Sequence, residues 1–329
     1  GRAPSDELAF ALRATEEPAP PAPAPAPGAA RPEERAAVDE QPASSAAPRS
    51  RLEVPLVGRD EELAELVALV ERVGREGRGR VVVVSGEAGV GKTRLLQAWT
   101  SQVRARGGAA IRGAAYEAES KHPYGPWLDA LAQAPGIGPA EDLLSGELPS
   151  RERLFHRIST AIGEVASRHG VLVIVLDDVQ WLDAGSAELL HWTLRTTPTR
   201  PILFALAARE GEIADNAALV RVLRGLRREG LVVERPLRAL SAAAITDLAR
   251  LLDVPVDAAS LHARSGGNPL FALELARAAP GVHKEGELPA TLRDLVRDRL
   301  AQLPERAAEI VRWGAILGSS FSAEGLGEL

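Results

Sequence analysis

One stretch constrains this chain more than any other: Gly86, Glu87, Ala88, Gly89, Val90, Gly91, Lys92 and Thr93, running from an all-apolar segment at 81–84 into a helical pattern at 92–104. The spacing is G-x-x-x-x-G-K-[ST]. Its glycines let the backbone fold into a cradle whose N–H groups converge on phosphate oxygens. The helix that follows adds the partial positive charge of its N-terminus. Lys92 is expected at the β- and γ-phosphates and the Thr93 hydroxyl on Mg²⁺, with Arg94 beside them in the first helical turn. The implied ligand is ATP or ADP with Mg²⁺. Composition sharpens the point, because only three of the 39 basic residues are lysine: Lys92, Lys121 and Lys284. In a chain whose default cation is arginine, lysine stands where a phosphate loop requires it.

The surroundings fit such a loop. Residues 60–73 place Leu63, Leu66, Val67, Leu69, Val70 and Val73 on one helical stripe. Short apolar runs at 81–84, 109–114, 171–176, 201–208 and 231–233 read as strands, and helical patterns at 92–104, 124–133, 151–167 and 186–195 separate them. Strands alternating with helices predict an α/β fold, a parallel sheet covered by helices on both faces. From Ser241, a good N-cap, the strands give way to helical patterns at 241–252, 257–265, 269–278, 290–303 and 305–317. At the other end, residues 18–27 hold six prolines alternating mostly with alanine, so 1–50 reads as a polyproline-rich spacer. The expected layout is a linker at 1–50, a nucleotide-binding domain at 51–240, a helical lid at 241–287 and the start of a further helical domain at 288–329. A spacer also leads us to expect a domain upstream of it.

The net charge of −6 argues against a general nucleic-acid binder, which needs clustered positive charge. The chain has no cysteine, which excludes disulfides and thiolate metal sites. No apolar run reaches about 18 residues and the N-terminus is not signal-like, so the expected location is the cytoplasm, without membrane contact.

Three further positions carry candidate chemistry. The apolar run 171–176 ends in Asp177 and Asp178. An acid at the carboxyl end of a buried strand suits a metal-positioning role, and this strand is expected to emerge beside the phosphate loop. Asp177 is the candidate metal holder. Asp178 either orients an attacking water or caps the turn. Arg209, directly after 201–208, either senses the γ-phosphate or is a solvated surface cation. Gly267-Asn268-Pro269 is by itself a helix start. His122, His156, His191 and His262 have no ligand spacing, and nothing resembles a Ser-His-Asp arrangement.

Taken in order, Leu56-Val57-Gly58-Arg59-Asp60-Glu61-Glu62-Leu63, the loop 86–93, Leu176-Asp177-Asp178-Val179-Gln180-Trp181-Leu182-Asp183, Ala208-Arg209-Glu210 and Gly266-Gly267-Asn268-Pro269-Leu270 resemble the signal-transduction ATPases with numerous domains, the STAND class of AAA-like NTPases. The bacterial branch most resembled is the ATPase module of large transcriptional regulators of LuxR or SARP type, the spacer before the module favouring the SARP-like order. The resemblance implies that Val57, Gly58 and Arg59 line the adenine and ribose pocket, that Arg209 is the sensor arginine and that Pro269 contacts the adenine from the lid. It also implies a winged-helix domain from about residue 288 and a switch in which ADP holds the module closed while ATP favours self-association. Hydrolysis would be slow, and DNA and RNA polymerase would be reached only through other domains. The family's histidine for the ADP β-phosphate has no counterpart here. The alternatives are a replication-initiator or loader ATPase like the Orc and Cdc6 group, and a nucleotide-dependent scaffold with negligible hydrolysis.

Overall fold

The computed structural model describes residues 55–119, 123–137, 150–252, 257–277 and, with gaps, 293–317. Of the two units into which the chain divides, 1–51 and 52–329, these all belong to the second. The expected linker, His122 and the segment 278–292 lie outside the described residues.

Helices and strands alternate as α1 (Asp60–Glu76), β1 (Arg80–Gly86), α2 (Lys92–Ala105), β2 (Ala109–Ala114), α3 (Gly125–Leu131), α4 (Arg151–His169), β3 (Leu172–Asp177), α5 (Ala184–Thr196), β4 (Ile202–Arg209), α6 (Ala217–Arg228) and β5 (Val232–Pro236). All strand pairings are parallel, in the order β2-β3-β4-β1-β5. The carboxyl end of β3 emerges beside the phosphate loop as expected, with Asp177 in contact with Thr93, although β1 and β3 are not neighbours in the sheet. β4 lies between them, paired with β3 at Leu172↔Ile202 and with β1 at Gly86↔Arg209. Apolar runs dictate that strands are buried and parallel. They do not dictate order, which the crossover helices set by skipping two positions between β1 and β2.

The period-2 alternation of each strand divides the core in two. Val82 and Val84 of β1, Val173 and Val175 of β3 and Ala205 of β4 pack against Leu66, Leu69 and Val73 of α1 and Leu95, Trp99 and Val103 of α2. On the opposite face Val81, Ile174, Leu176, Phe204 and Leu206 meet Trp127, Ile158, Ile162, Leu190 and Leu223 of α3 to α6. β3 is buried at all six positions, which is why it carries no polar residue before Asp177. Side-chain caps start α5 (Asp183 accepting from Ser186 N) and α6 (Asn216 accepting from Leu219 N).

After β5 come α7 (Ala242–Leu251), α8 (Ala258–Ser265) and α9 (Pro269–Arg277). The Ser241 hydroxyl accepts from Ala244 N, as expected of its cap. Leu240, Ile245, Leu248, Leu261, Ala272 and Leu275 form a separate apolar cluster, and Val57 packs against it. The last described helix is α10 (Glu305–Leu317), on which Ile310, Val311 and Trp313 are exposed.

Candidate nucleotide site

The loop 86–93 leaves the end of β1 and enters α2 with Gly89 at φ 81° and Gly91 at φ 101°, a backbone that side chains beyond glycine rarely adopt. Gly91 caps α2 without any side-chain hydrogen bond, and the first turn of α2 carries no acid. No side chain of the cap or of the helix's own first turn therefore competes for its first amides, which suits an anion site. Lys92 is buried, with Nζ donating to the carbonyls of Gly86 (2.8 Å) and Glu87 (2.9 Å). Burial pushes its ammonium below the ordinary lysine value, opposed mainly by Asp178 and then Asp177, while Arg209 pushes it further down. Lys92, both aspartates and Arg209 thus share one electrostatic neighbourhood, although their elements are far apart in the chain.

Asp177 is 4% exposed and fully engaged. Its Oδ2 accepts from Thr93 Oγ1 at 2.8 Å and from Arg112 Nη2 at 2.6 Å, and its Oδ1 accepts from Asp178 N at 3.1 Å. The two residues named as candidate metal ligands, Thr93 and Asp177, are therefore in direct contact. Arg112, on β2, is the cation of an ion pair with Asp177. Asp178 sits at φ 53° and accepts through Oδ1 from Gln180 Nε2 at 3.0 Å. Buried Gln180 in turn accepts from Arg209 N at 3.4 Å, tying the ends of β3 and β4. The guanidinium of Arg209 pairs with Glu212 at 3.4 Å.

The remaining named residues surround the loop. Arg59 is buried, and its guanidinium donates to the carbonyls of Val90 (3.1 Å) and Arg238 (2.6 Å) and to Glu62 (2.9 Å). It is a strut between the phosphate loop and the segment that follows β5. Gly58 lies against Ala244 and Leu240, and Val57 against the apolar cluster of the helices after β5. Glu87 is exposed, Ala88 and Arg94 are half-buried and Val90 is buried. Pro269 reaches the loop at Gly91, its Cγ 4.0 Å from where a side chain there would begin. Asn268, read in the sequence only as a helix boundary, donates through Nδ2 to Ala88 O at 2.9 Å. Arg112 and Gln180 were not legible as site residues. Among the described residues no three His, Cys, Asp or Glu side chains group as a metal site, and no helix is long and apolar enough to cross a membrane.

A phosphate loop at the end of β1, facing an acid at the end of β3 in an all-parallel five-stranded sheet, defines a P-loop NTPase fold. Residues 55–205 match the family described as AAA ATPase domain. The Walker-type ATPase PABY2304 of Pyrococcus abyssi superposes with a TM-score of 0.50 at 15% identity, covering 83% of this chain and 87% of that one. Cdc6p from Pyrobaculum aerophilum gives 0.50 at 14%, covering 70% and 64%. At such identities the likeness is one of fold. An uncharacterized protein of Rhizobium meliloti (strain 1021) is 28% identical over 199 residues, 48% of this chain, which spans only 19% of that relative's length.

Proposed function

We propose that this chain is an ATP/ADP-binding regulatory switch with slow Mg²⁺-dependent hydrolysis, controlling self-association and output of a larger transcriptional activator. The observation that carries the nucleotide reading is the Thr93–Asp177 contact beside buried Lys92, which joins positions 84 residues apart at the start of α2. In this reading the loop amides and Lys92 hold the phosphates, and Thr93 and Asp177 hold Mg²⁺. The metal's contribution is to neutralise charge on the phosphates. Asp178, held by Gln180, orients water, and Arg209 at the neighbouring strand end reads the terminal phosphate. The switch reading is supported by a lid that places Asn268, Pro269 and Leu270 on the loop, and by the ordered motifs shared with STAND regulators. In that reading 51–240 is the nucleotide-binding domain, 241–287 the lid and 288–329 the start of a winged helix. Val57, Gly58, Arg59 and Pro269 border the base. A ligand shifts such a two-state module only by binding its states with different affinity.

Single-turnover hydrolysis tests the enzymatic half. Purified protein mixed with substoichiometric ATP and Mg²⁺ should release phosphate over minutes to hours. Tight ATP binding with no phosphate release would instead make the chain a scaffold.

A further inference from the structure

We infer that Asn268 is a latch by which the lid grips the phosphate loop itself, so that lifting the lid and loosening the loop are one event. The inference rests on reading 86–93 as the phosphate loop, and it adds a positioning residue to that site.

Asn268 is polar yet only 4% exposed, and its side-chain amide is used in two directions. Its Oδ1 accepts from Leu270 N (3.1 Å) and Phe271 N (3.5 Å), capping α9. Its Nδ2 donates to Ala88 O (2.9 Å), across 180 residues of chain. A cap needs only the oxygen, so the nitrogen's bond to the loop is a separate element of the design. The contact is reinforced next door, where Leu270 N donates to Gly89 O at 3.3 Å. Gly89 leaves no spare room, because a Cβ there would lie 2.8 Å from Leu270 Cβ and 2.9 Å from Asn268 Oδ1. The lid side of the latch is fixed as well: Gly267 N donates to Ser265 Oγ (3.2 Å), and Leu240 N donates to Gly267 O (2.8 Å).

Peptide geometry gives the latch its consequence. The Ala88 carbonyl and the Gly89 N–H belong to one planar trans peptide and point in opposite directions. Holding the carbonyl toward the lid therefore aims the Gly89 N–H away from it. When Asn268 lets go, that peptide plane can turn, and a phosphate-facing amide loses its orientation. The lid thus acts on the phosphates through the loop, in addition to any contact it makes with the base.

The decisive variant is Asn268→Asp in the full 329-residue chain. It keeps the oxygen that caps α9, while the atom facing Ala88 O changes from a donor to an acceptor. Hydrogen–deuterium exchange of the nucleotide-free protein should show amides at 87–91 and 270–275 accelerating together, by about fivefold, the worth of one net hydrogen bond. Amides of α1 and β3 should be unchanged. Dissociation of a fluorescent ADP should accelerate by about five- to tenfold. Acceleration of α9 alone, or of neither segment, would overturn the latch. If Asn268→Asp does not fold, Leu270→Ala should give the same paired acceleration by removing the side chain packed over Gly89, and its absence would overturn the latch equally. A wild type that binds no ADP would instead sink the nucleotide reading, with the exchange experiment still deciding the latch.

Discussion

The Asp177 carboxylate serves one hydroxyl, one amide and one guanidinium, and its Oδ2 is shared between Thr93 and Arg112. In the proposed site a divalent cation would have to share that oxygen's neighbourhood with a permanent positive charge. Arg112→Gln removes the charge while leaving a polar side chain. It should lower the Mg²⁺ concentration at half-maximal nucleotide binding by about fivefold, the scale of a charge–charge interaction partly screened by water. A Mg²⁺ titration with a fluorescent nucleotide measures it, and an unchanged midpoint with binding intact would show that Arg112 and the metal do not compete. Lys92 and Asp177 were legible as candidates because each stands where its chemistry is unusual, a lysine among arginines and an acid closing an apolar run, and Thr93 was legible from the loop's spacing. Arg112 was not, since an arginine in this chain carries no signal until the β2–β3 register, Gly113↔Leu176 and Ala114↔Asp177, brings its strand alongside the acid. Gln180 was hidden for the same reason: its partners are the strand end before it and the end of β4, 29 residues on.

Among the elements, β2 and α3 show how tightly the sheet's edge is fitted. Trp127, Ala130 and Leu131 of α3 are buried, and α3 comes so close to β2 that a Cβ on Gly113 would fall on the Pro126 carbonyl. Backbone cannot yield there as a flexible side chain could. Gly113→Ala should therefore destabilise the fold by about 2–3 kcal/mol. Urea unfolding measures this, and a change below about 0.5 kcal/mol, the ordinary range for a surface substitution, would show that α3 can shift freely. The elements themselves were readable. Period 2 and period 3.6 are properties of short windows, and the stripe from Leu63 to Val73 and the run before Asp177 are unambiguous at that range. Strand order was not readable. Which parallel strand lies beside which is decided by the crossovers, whose helices have the same amphipathic pattern in either arrangement. The Pro269 helix start was visible, whereas the partner of Asn268, 180 residues away, was not.

For the molecule as a whole, a sheet with two apolar faces holds the loop, the acids and Arg209 at the carboxyl ends of its inner strands, and the helical cluster after β5 closes on the same loop. Arg59 connects the two, bonding Val90 of the loop and Arg238 just after β5 from a third segment. Buried polar groups used this way position neighbouring segments more than they add net stability, since each bond largely replaces one with water. The central claim is that this convergence exists to hold a nucleotide's phosphates. It is tested most directly by nucleotide-induced thermal stabilisation of wild type and Lys92→Ala, side by side, with Mg²⁺. A ligand that binds the folded state raises the melting temperature by mass action, with about 2.7 kcal/mol gained at a hundred times its Kd. Wild type should melt several degrees higher with ATP or ADP, and Lys92→Ala should fold but show no shift. An equal shift in both proteins, or none in wild type at millimolar nucleotide, would contradict the assignment of 86–93 as a phosphate loop.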